Sequence, residues 1–186
     1  VDWRDLLGLP TAFTQRVPIQ TCYHPEVVMV HPDLSITLGR QNDSLVLGFA
    51  LGDDGTLPDM HQVTRGLRHE CQPVVASRWV HGPVTLEQTA FCILPDDDAV
   101  VSGTERQLLV VRMSLENTGE QPVETALLVM IGKAMGSQRT NYRPFVPVLK
   151  RWQEETLAWQ AEDDALVAGD RLLLVSTDRL SAFDWI

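Results

Sequence analysis

Residues 107–132 constrain the fold more than any other part of the chain. Apolar side chains recur at every second position from Leu109 to Leu115, which is the period of a strand with one buried face. The polar run 117–122 then supplies residues suited to a reversal, and alternation resumes over 123–131. These patterns predict two long strands joined as a hairpin, and a hairpin this apolar needs a second sheet to cover it.

The same alternation predicts most of the remaining elements. Two more hairpins are expected, one from 34–38 and 45–51 around the loop 41–43, the other from 73–81 and 84–94 around His81-Gly82-Pro83. Residues 156–161, 165–168 and 171–177 predict a small meander. Short helices are expected at 2–7 and after Pro147, whereas 11–25 has no clear pattern and 56–70 reads as a polar connector. The fold class is therefore an all-β, antiparallel sandwich with one or two short helices.

Length and charge limit the classes of function. A chain of 186 residues suits one domain with its own core. The net charge of -10, from 25 acidic and 15 basic residues, disfavours nucleic acid or an anionic membrane as a partner. The longest apolar runs, such as 126–131, are far too short for a membrane span, so we expect a soluble domain. Apolar residues at both ends predict that the domain is a segment of a longer parent chain.

Metal and cofactor motifs do not emerge from the sequence. Cys22, Cys71 and Cys92 lack the spacing that zinc requires, and buried free thiols are the simplest interpretation, although one disulfide with one thiol left over stays open. Clustered acids at 53–54 and 96–98 lie in predicted turns. Their carboxylates are of the type that binds Ca²⁺, so a calcium site stays an alternative, but neither cluster has the DxDxDG pattern. No cofactor is otherwise predicted.

Catalytic residues are not singled out either. Paired carboxylates serve glycoside hydrolysis, yet adjacent acids in turns are usually solvated, and opposed pairs must come from distant segments. A mutarotase-like enzyme would need histidines and a glutamate around a sugar pocket. The available groups show no distinguishing spacing, and no GxSxG nucleophile motif occurs. These groups are His24, His31, His61, His69 and His81 with Glu70 and Glu87.

Aromatic residues give the one ligand hypothesis. Sugar rings stack their CH faces on exposed Trp or Tyr while polar neighbours bond the hydroxyls. The alternative for each Trp is a place in the core, where most Trp of a sandwich pack. The candidate carbohydrate-binding residues are Trp79, His81, Tyr142, Arg143 and Trp152.

A family resemblance covers about half of the chain. GLR at 66–68 leads into the strands at 73–79 and 84–91, and VRMSLEN at 111–117 is followed by QPV at 121–123. In these features, residues 45–132 resemble the N-terminal super-sandwich domain that precedes the (α/α)6 catalytic barrel in several glycoside hydrolase families. The resemblance implies two large antiparallel sheets related to the galactose mutarotase fold. It also implies that the catalytic acid and base lie in a barrel outside these 186 residues.

Three functional hypotheses follow. By resemblance, the chain is a non-catalytic domain of a carbohydrate-active enzyme that packs against the catalytic domain of its parent and helps to shape a glycan-binding cleft. A second hypothesis is an independent carbohydrate-binding module that uses exposed aromatic residues. A third is a small mutarotase-like enzyme. An extracellular or periplasmic location would follow if the parent degrades polysaccharide, whereas the glycan and the oligomeric state are not encoded in any pattern found.

Overall fold

The computed structural model describes residues 16–19, 27–39, 45–68, 73–95 and 105–133, and the strands 157–160, 165–168 and 171–175. These parts of the chain form strands and turns and contain no helix, so none that could span a membrane occurs in them. The strands are β1 (Val17–Ile19), β2 (Val28–Val30), β3 (Ile36–Leu38), β4 (Leu45–Leu51), β5 (Val63–Leu67), β6 (Val75–His81), β7 (Val84–Ile93), β8 (Leu108–Asn117), β9 (Leu127–Lys133), β10 (Leu157–Gln160), β11 (Ala165–Ala168) and β12 (Arg171–Val175).

The strands form antiparallel sheets that make a sandwich. Sheet A has the order β1-β2-β3-β4-β9, sheet B has the order β5-β6-β7-β8, and a smaller sheet C has the order β10-β11-β12. One apolar cluster draws on both larger sheets, with Leu47 and Phe49 from sheet A and Trp79 and Leu86 from sheet B. Sheets A and B therefore bury a common core, as the predicted all-β sandwich requires. Both predicted helices, at 2–7 and after Pro147, lie outside the described residues.

Several predicted strand pairings are confirmed. β3 pairs with β4, and β6 pairs with β7 across the turn Gly82-Pro83, where Gly82 has a φ of 58°. A positive φ at the first central position followed by Pro at the second is compatible with a type II′ hairpin turn. The predicted meander is sheet C, in which the pairing of β11 with β12 shifts register between Leu166 and Val167. Local alternation was sufficient for these pairs because each partner strand comes next in the chain.

The predicted hairpin over residues 107–132 is wrong. β8 pairs with β7 in sheet B, whereas β9 pairs with β4 in sheet A, and each lies at the edge of its sheet. Both strands occur where alternation predicted them. The connection between them crosses from one sheet to the other instead of reversing within a sheet, and turn-forming residues suit either path.

Hydrogen bonds at the end of β8 explain the crossing. Thr118 donates to the Pro83 carbonyl from both its backbone N–H (2.7 Å) and its hydroxyl (3.0 Å). Asn117 Oδ1 accepts from the Gly119 N–H at 2.9 Å. At the far end of the connection, the Gly52 N–H donates to the Ala126 carbonyl at 2.9 Å, which brings the chain alongside β4.

Besides the three-residue strand β2, two strands were not predicted from the sequence. β1 lies in the stretch 11–25, and β5 lies in the connector 56–70. In β5, Arg65 occupies a core-facing position and Gly66 has no side chain. The segment therefore does not show the alternation of apolar and polar residues that predicts a strand. Both strands lie at sheet edges, where pairing on one side only places weaker demands on composition.

Candidate functional site

A row of three polar side chains crosses the core-facing side of sheet B. Arg65 is paired with Ser77, and Ser77 is paired with Gln88. Each lies two residues along its strand from a core residue, and side chains two apart share a face, so all three face sheet A. Ser77 and Gln88 are buried, at 3% and 1% exposure. We call Arg65, Ser77 and Gln88 the polar row.

The polar row holds the turn between β2 and β3. Arg65 Nη1 donates to the Val30 carbonyl at 3.1 Å, and Gln88 Nε2 donates to the Leu34 carbonyl at 2.9 Å. Leu34 is fully buried and has a φ of 66°, a left-handed conformation that costs about 1 kcal/mol or more for a residue with a Cβ atom. Side chains of sheet B thus donate hydrogen bonds to backbone carbonyls of sheet A, and these bonds hold the strained turn between β2 and β3 in place.

The turn also has hydrogen bonds of its own. Asp33 Oδ1 accepts from the Ser35 backbone N–H at 3.1 Å and from the Ser35 hydroxyl at 2.6 Å, and the His31 N–H donates to the Ser35 carbonyl at 2.8 Å. His31 Nε2 lies 2.8 Å from Thr37 Oγ1, and both side chains are buried. His31 and Asp33 therefore use their polar atoms within the turn.

Burial controls the protonation of this cluster. Desolvation, with smaller contributions from the positive charges of Arg16 and Arg65, lowers the pKa of His31 from 6.5 to about 4, so its imidazole is neutral at pH 7. Desolvation also raises the pKa of Asp33, although the two hydrogen bonds from Ser35 and the charge of Arg65 oppose it. The pKa of the Arg65 guanidinium is lowered by burial and partly restored by Asp33.

The cluster has the composition of a catalytic site but not the accessibility of one. The Ser35 hydroxyl donates to Asp33, and Thr37 Oγ1 lies beside His31 Nε2, so each hydroxyl has a possible base next to it. Ser35 and Thr37 are themselves buried. Two polar atoms of the row, Ser77 Oγ and Gln88 Oε1, are buried without a hydrogen-bond partner among the described residues. The arrangement serves to join the two sheets.

The structure places two of the five predicted carbohydrate-binding residues. Trp79 is only 1% exposed, its Nε1 donates to Gln62 Oε1 at 3.4 Å, and its ring lies 5.1 Å from the exposed His81 ring at an interplanar angle of 39°. A sugar platform needs an accessible ring face, so burial removes Trp79 from the candidates and assigns it to the core. Tyr142, Arg143 and Trp152 lie outside the described residues.

Other predicted groups do not converge. In the parts of the chain that the structure describes, no three His, Cys, Asp or Glu side chains form a group that could hold a metal ion. Glu87 lies 3.7 Å from Arg78 in an exposed ion pair. Cys92 is a free thiol that donates to the Ile19 carbonyl at 3.6 Å, and burial raises its pKa to about 11, as expected of an unreactive structural cysteine. Cys22, Cys71, His24, His69 and Glu70 lie outside the described residues.

An apolar patch occupies the outer face of sheet B. Ile93 is paired with Leu108, and Phe91 is paired with Val110, so four apolar side chains adjoin one another on two strands. Ile93 and Leu108 are 40% and 50% exposed, and the other two are half-buried. We call Phe91, Ile93, Leu108 and Val110 the β7–β8 patch. Sequence reasoning missed it because alternation on β8 was assigned only one buried face.

Comparison with family models, curated proteins and solved structures finds no match to this chain. The resemblance to the super-sandwich domains of glycoside hydrolases therefore stays a prediction.

Proposed function

We propose that this chain is a non-catalytic β-sandwich domain of a carbohydrate-active enzyme, and that it packs against the catalytic domain of its parent. The proposal combines the resemblance of residues 45–132 with one structural observation, the β7–β8 patch. Scattered apolar residues on a surface need no explanation, but four that adjoin one another on two paired strands are typical of a surface that another domain covers.

The neighbours of the patch support this interpretation. Further along the same face of β7 and β8, the residues turn polar, with Thr89 paired with Arg112 and Glu87 paired with Ser114. An apolar centre beside charged residues is the usual composition of an interface between domains. The polar row also supports a scaffold role, because Arg65 and Gln88 of sheet B bond to backbone carbonyls of sheet A and so hold the two sheets together.

The experiment uses the protein encoded by the whole open reading frame that contains this chain. The proposal predicts that this frame also encodes an (α/α)6 barrel. Changing Ile93→Ser and Leu108→Ser together should lower the melting temperature of the multidomain protein by several degrees more than that of the 186-residue chain, in which about half of each side chain is already exposed. The matched control is Leu57→Ser, which alters a residue of 51% exposure outside the patch.

Two outcomes would contradict the proposal. One is a reading frame without a catalytic domain. The other is a multidomain protein whose melting temperature responds equally to the patch variant and to Leu57→Ser. Affinity electrophoresis of the 186-residue chain against a polysaccharide panel tests the alternative of an independent binding module. Binding that is lost on Tyr142→Ala and kept by an unrelated surface variant would favour the module over the packing domain.

A further inference from the structure

The outer edge of β8 is a long and regular strand edge. β8 pairs with β7 through ten consecutive residues with no register shift, and no described strand pairs with its other side. Residues 114–117 and Arg112 are exposed. Strand edges in monomeric proteins are commonly interrupted by a bulge or a proline, and β8 contains neither.

The hydrogen-bond ladder shows which backbone groups this edge presents. Thr118 donates its N–H to the Pro83 carbonyl at 2.7 Å, and these two residues continue the register of the β7–β8 ladder by one pair. Backbone groups along an antiparallel strand point alternately to its two sides. The even-numbered residues of β8 therefore bond to β7. The residues that offer N–H and C=O groups at the outer edge are Leu109, Val111, Met113, Leu115 and Asn117.

We propose that β8 pairs with β8 of a second copy of this chain, antiparallel and about a two-fold axis through Ser114. Such a pair joins two four-stranded sheets into one continuous sheet. Met113 of each copy then lies opposite Leu115 of the other. Both residues present their N–H and C=O groups away from β7, so these groups can bond across the two-fold axis. The inference goes beyond the proposed packing role, which uses the outer face at Phe91, Ile93, Leu108 and Val110 and not the backbone edge of β8.

Charge complementarity selects this register. On the outer face of the sheet, Arg112 of each copy lies opposite Glu116 of the other, in pairs without a hydrogen bond, where facing side chains come closest. An axis through Arg112 would oppose two arginines, and an axis through Glu116 would oppose two glutamates. Axes through Met113 or Leu115 leave both charges opposite uncharged residues. Ser114, at the centre, is small and polar.

A charge-swap series tests the register by sedimentation of the 186-residue chain from micromolar to millimolar concentration. The wild type is expected to dimerise. Arg112→Glu and Glu116→Arg each place like charges opposite one another twice per dimer, and each should raise the dissociation constant by about tenfold or more. The double variant carries both changes and should restore the dimer. Glu120→Arg is the matched control, since it changes the charge of an exposed residue beyond the end of β8.

A backbone variant tests the edge itself. Leu115→Pro removes an N–H that points away from β7, so the ladder within one copy is kept and the dimer is lost. Amide hydrogen exchange provides an independent readout, because Met113 and Leu115 should gain protection as the concentration rises. Circular dichroism verifies that each variant folds.

The proposal is overturned by a wild-type chain that stays monomeric at millimolar concentration. It is also overturned by a dimer that is insensitive to both Arg112→Glu and Leu115→Pro, since such a dimer uses another surface. Failure of the double variant to recover while both single variants fold would reject the register centred on Ser114.

Discussion

β4 and β8 each contain six apolar residues, but they have opposite environments in the fold. β4 lies inside sheet A between β3 and β9, and every residue from Val46 to Leu51 is buried. Leu47 and Phe49 face the common core, whereas Val46 and Ala50 are fully buried on the other face. β8 lies at the edge of sheet B, and its residues are half-buried or exposed. Neighbours determine the burial of a strand, and alternation along the strand does not reveal them.

The largest expected effect comes from matched truncations in the two strands. Leu47→Ala in β4 should lower the free energy of unfolding by about 4 kcal/mol, because it opens a cavity at a core position of 5% exposure. Leu115→Ala in β8 removes a side chain that is 40% exposed and should cost about 1 kcal/mol or less. Urea denaturation of both variants under conditions that keep the chain monomeric measures the difference. Equal losses would show that β8 is as deeply buried as β4.

Acidification should lower the free energy of unfolding through the buried His31 of sheet A. His31 bonds to Thr37, and Thr37 pairs with Val46 of β4. The pKa of His31 falls from 6.5 in the unfolded chain to about 4 in the fold. As the pH falls below 6.5, the unfolded chain binds this proton first, so stability is lost progressively down to about pH 4. The shift corresponds to about 3 kcal/mol.

The matched control for this pH effect is His31→Asn, which removes the titrating group but keeps Asp33. Asp33 acts in the opposite sense, because its raised pKa lets the folded state bind a proton first. The slope of unfolding free energy against pH between 6.5 and 4 should be lower in this variant than in the wild type. Equal slopes would mean that His31 titrates normally in the fold.

A moderate effect is expected where β8 ends. A Cβ atom on Gly119 would lie 2.9 Å from Pro83 Cβ and 3.3 Å from Asn117 Oδ1. Gly119→Ala should therefore displace the hairpin turn or the Asn117 contact at a cost of about 1 to 2 kcal/mol, measured by thermal unfolding. The neighbouring exposed Glu120→Ala should have almost no effect. A neutral Gly119→Ala would mean that the connection relaxes freely and does not guide the chain between sheets.

The smallest expected effect concerns β9. Val129 lies in the strand that alternation over 123–131 predicts, and that pattern predicts a buried side chain there. Val129 pairs with core residue Phe49 but is 41% exposed at the edge of sheet A. Val129→Asp should therefore cost about 1 kcal/mol, mainly as lost strand preference, in a denaturant titration. A variant that does not fold would show that β9 is covered and that Val129 is buried.

The sequence was informative where a structural cause is local. Alternation and turn residues located β4, β6, β7 and β8 because pleating and turn geometry act over a few residues. The partner of β9 was not predictable in this way, because β4 lies far away in the chain and turn residues do not specify which sheet comes next. Among site residues, Trp79 was assigned by its polar neighbours in sequence, whereas its neighbours in space bury it.

The polar row was missed for a related reason. Arg65 and Gln88 are residue types that normally lie at the surface, so the sequence gives no reason to expect either in the core. Their burial depends on the carbonyls of Val30 and Leu34, which another sheet presents. One local signal was available, since Asp33 and Ser35 two residues apart are typical of a side-chain-stabilised turn.

The pairing of β4 with β9 has a consequence for how the chain is made. All of sheet B lies between these two strands in sequence, and sheet B consists of neighbours that pair in chain order. During translation the hairpins of sheet B can close early, whereas β4 keeps an unpaired apolar edge until residue 133 has left the ribosome. Until β9 has been synthesised, the unpaired edge of β4 can pair with the wrong strand or with another chain. A chaperone that binds the nascent chain would act in this interval.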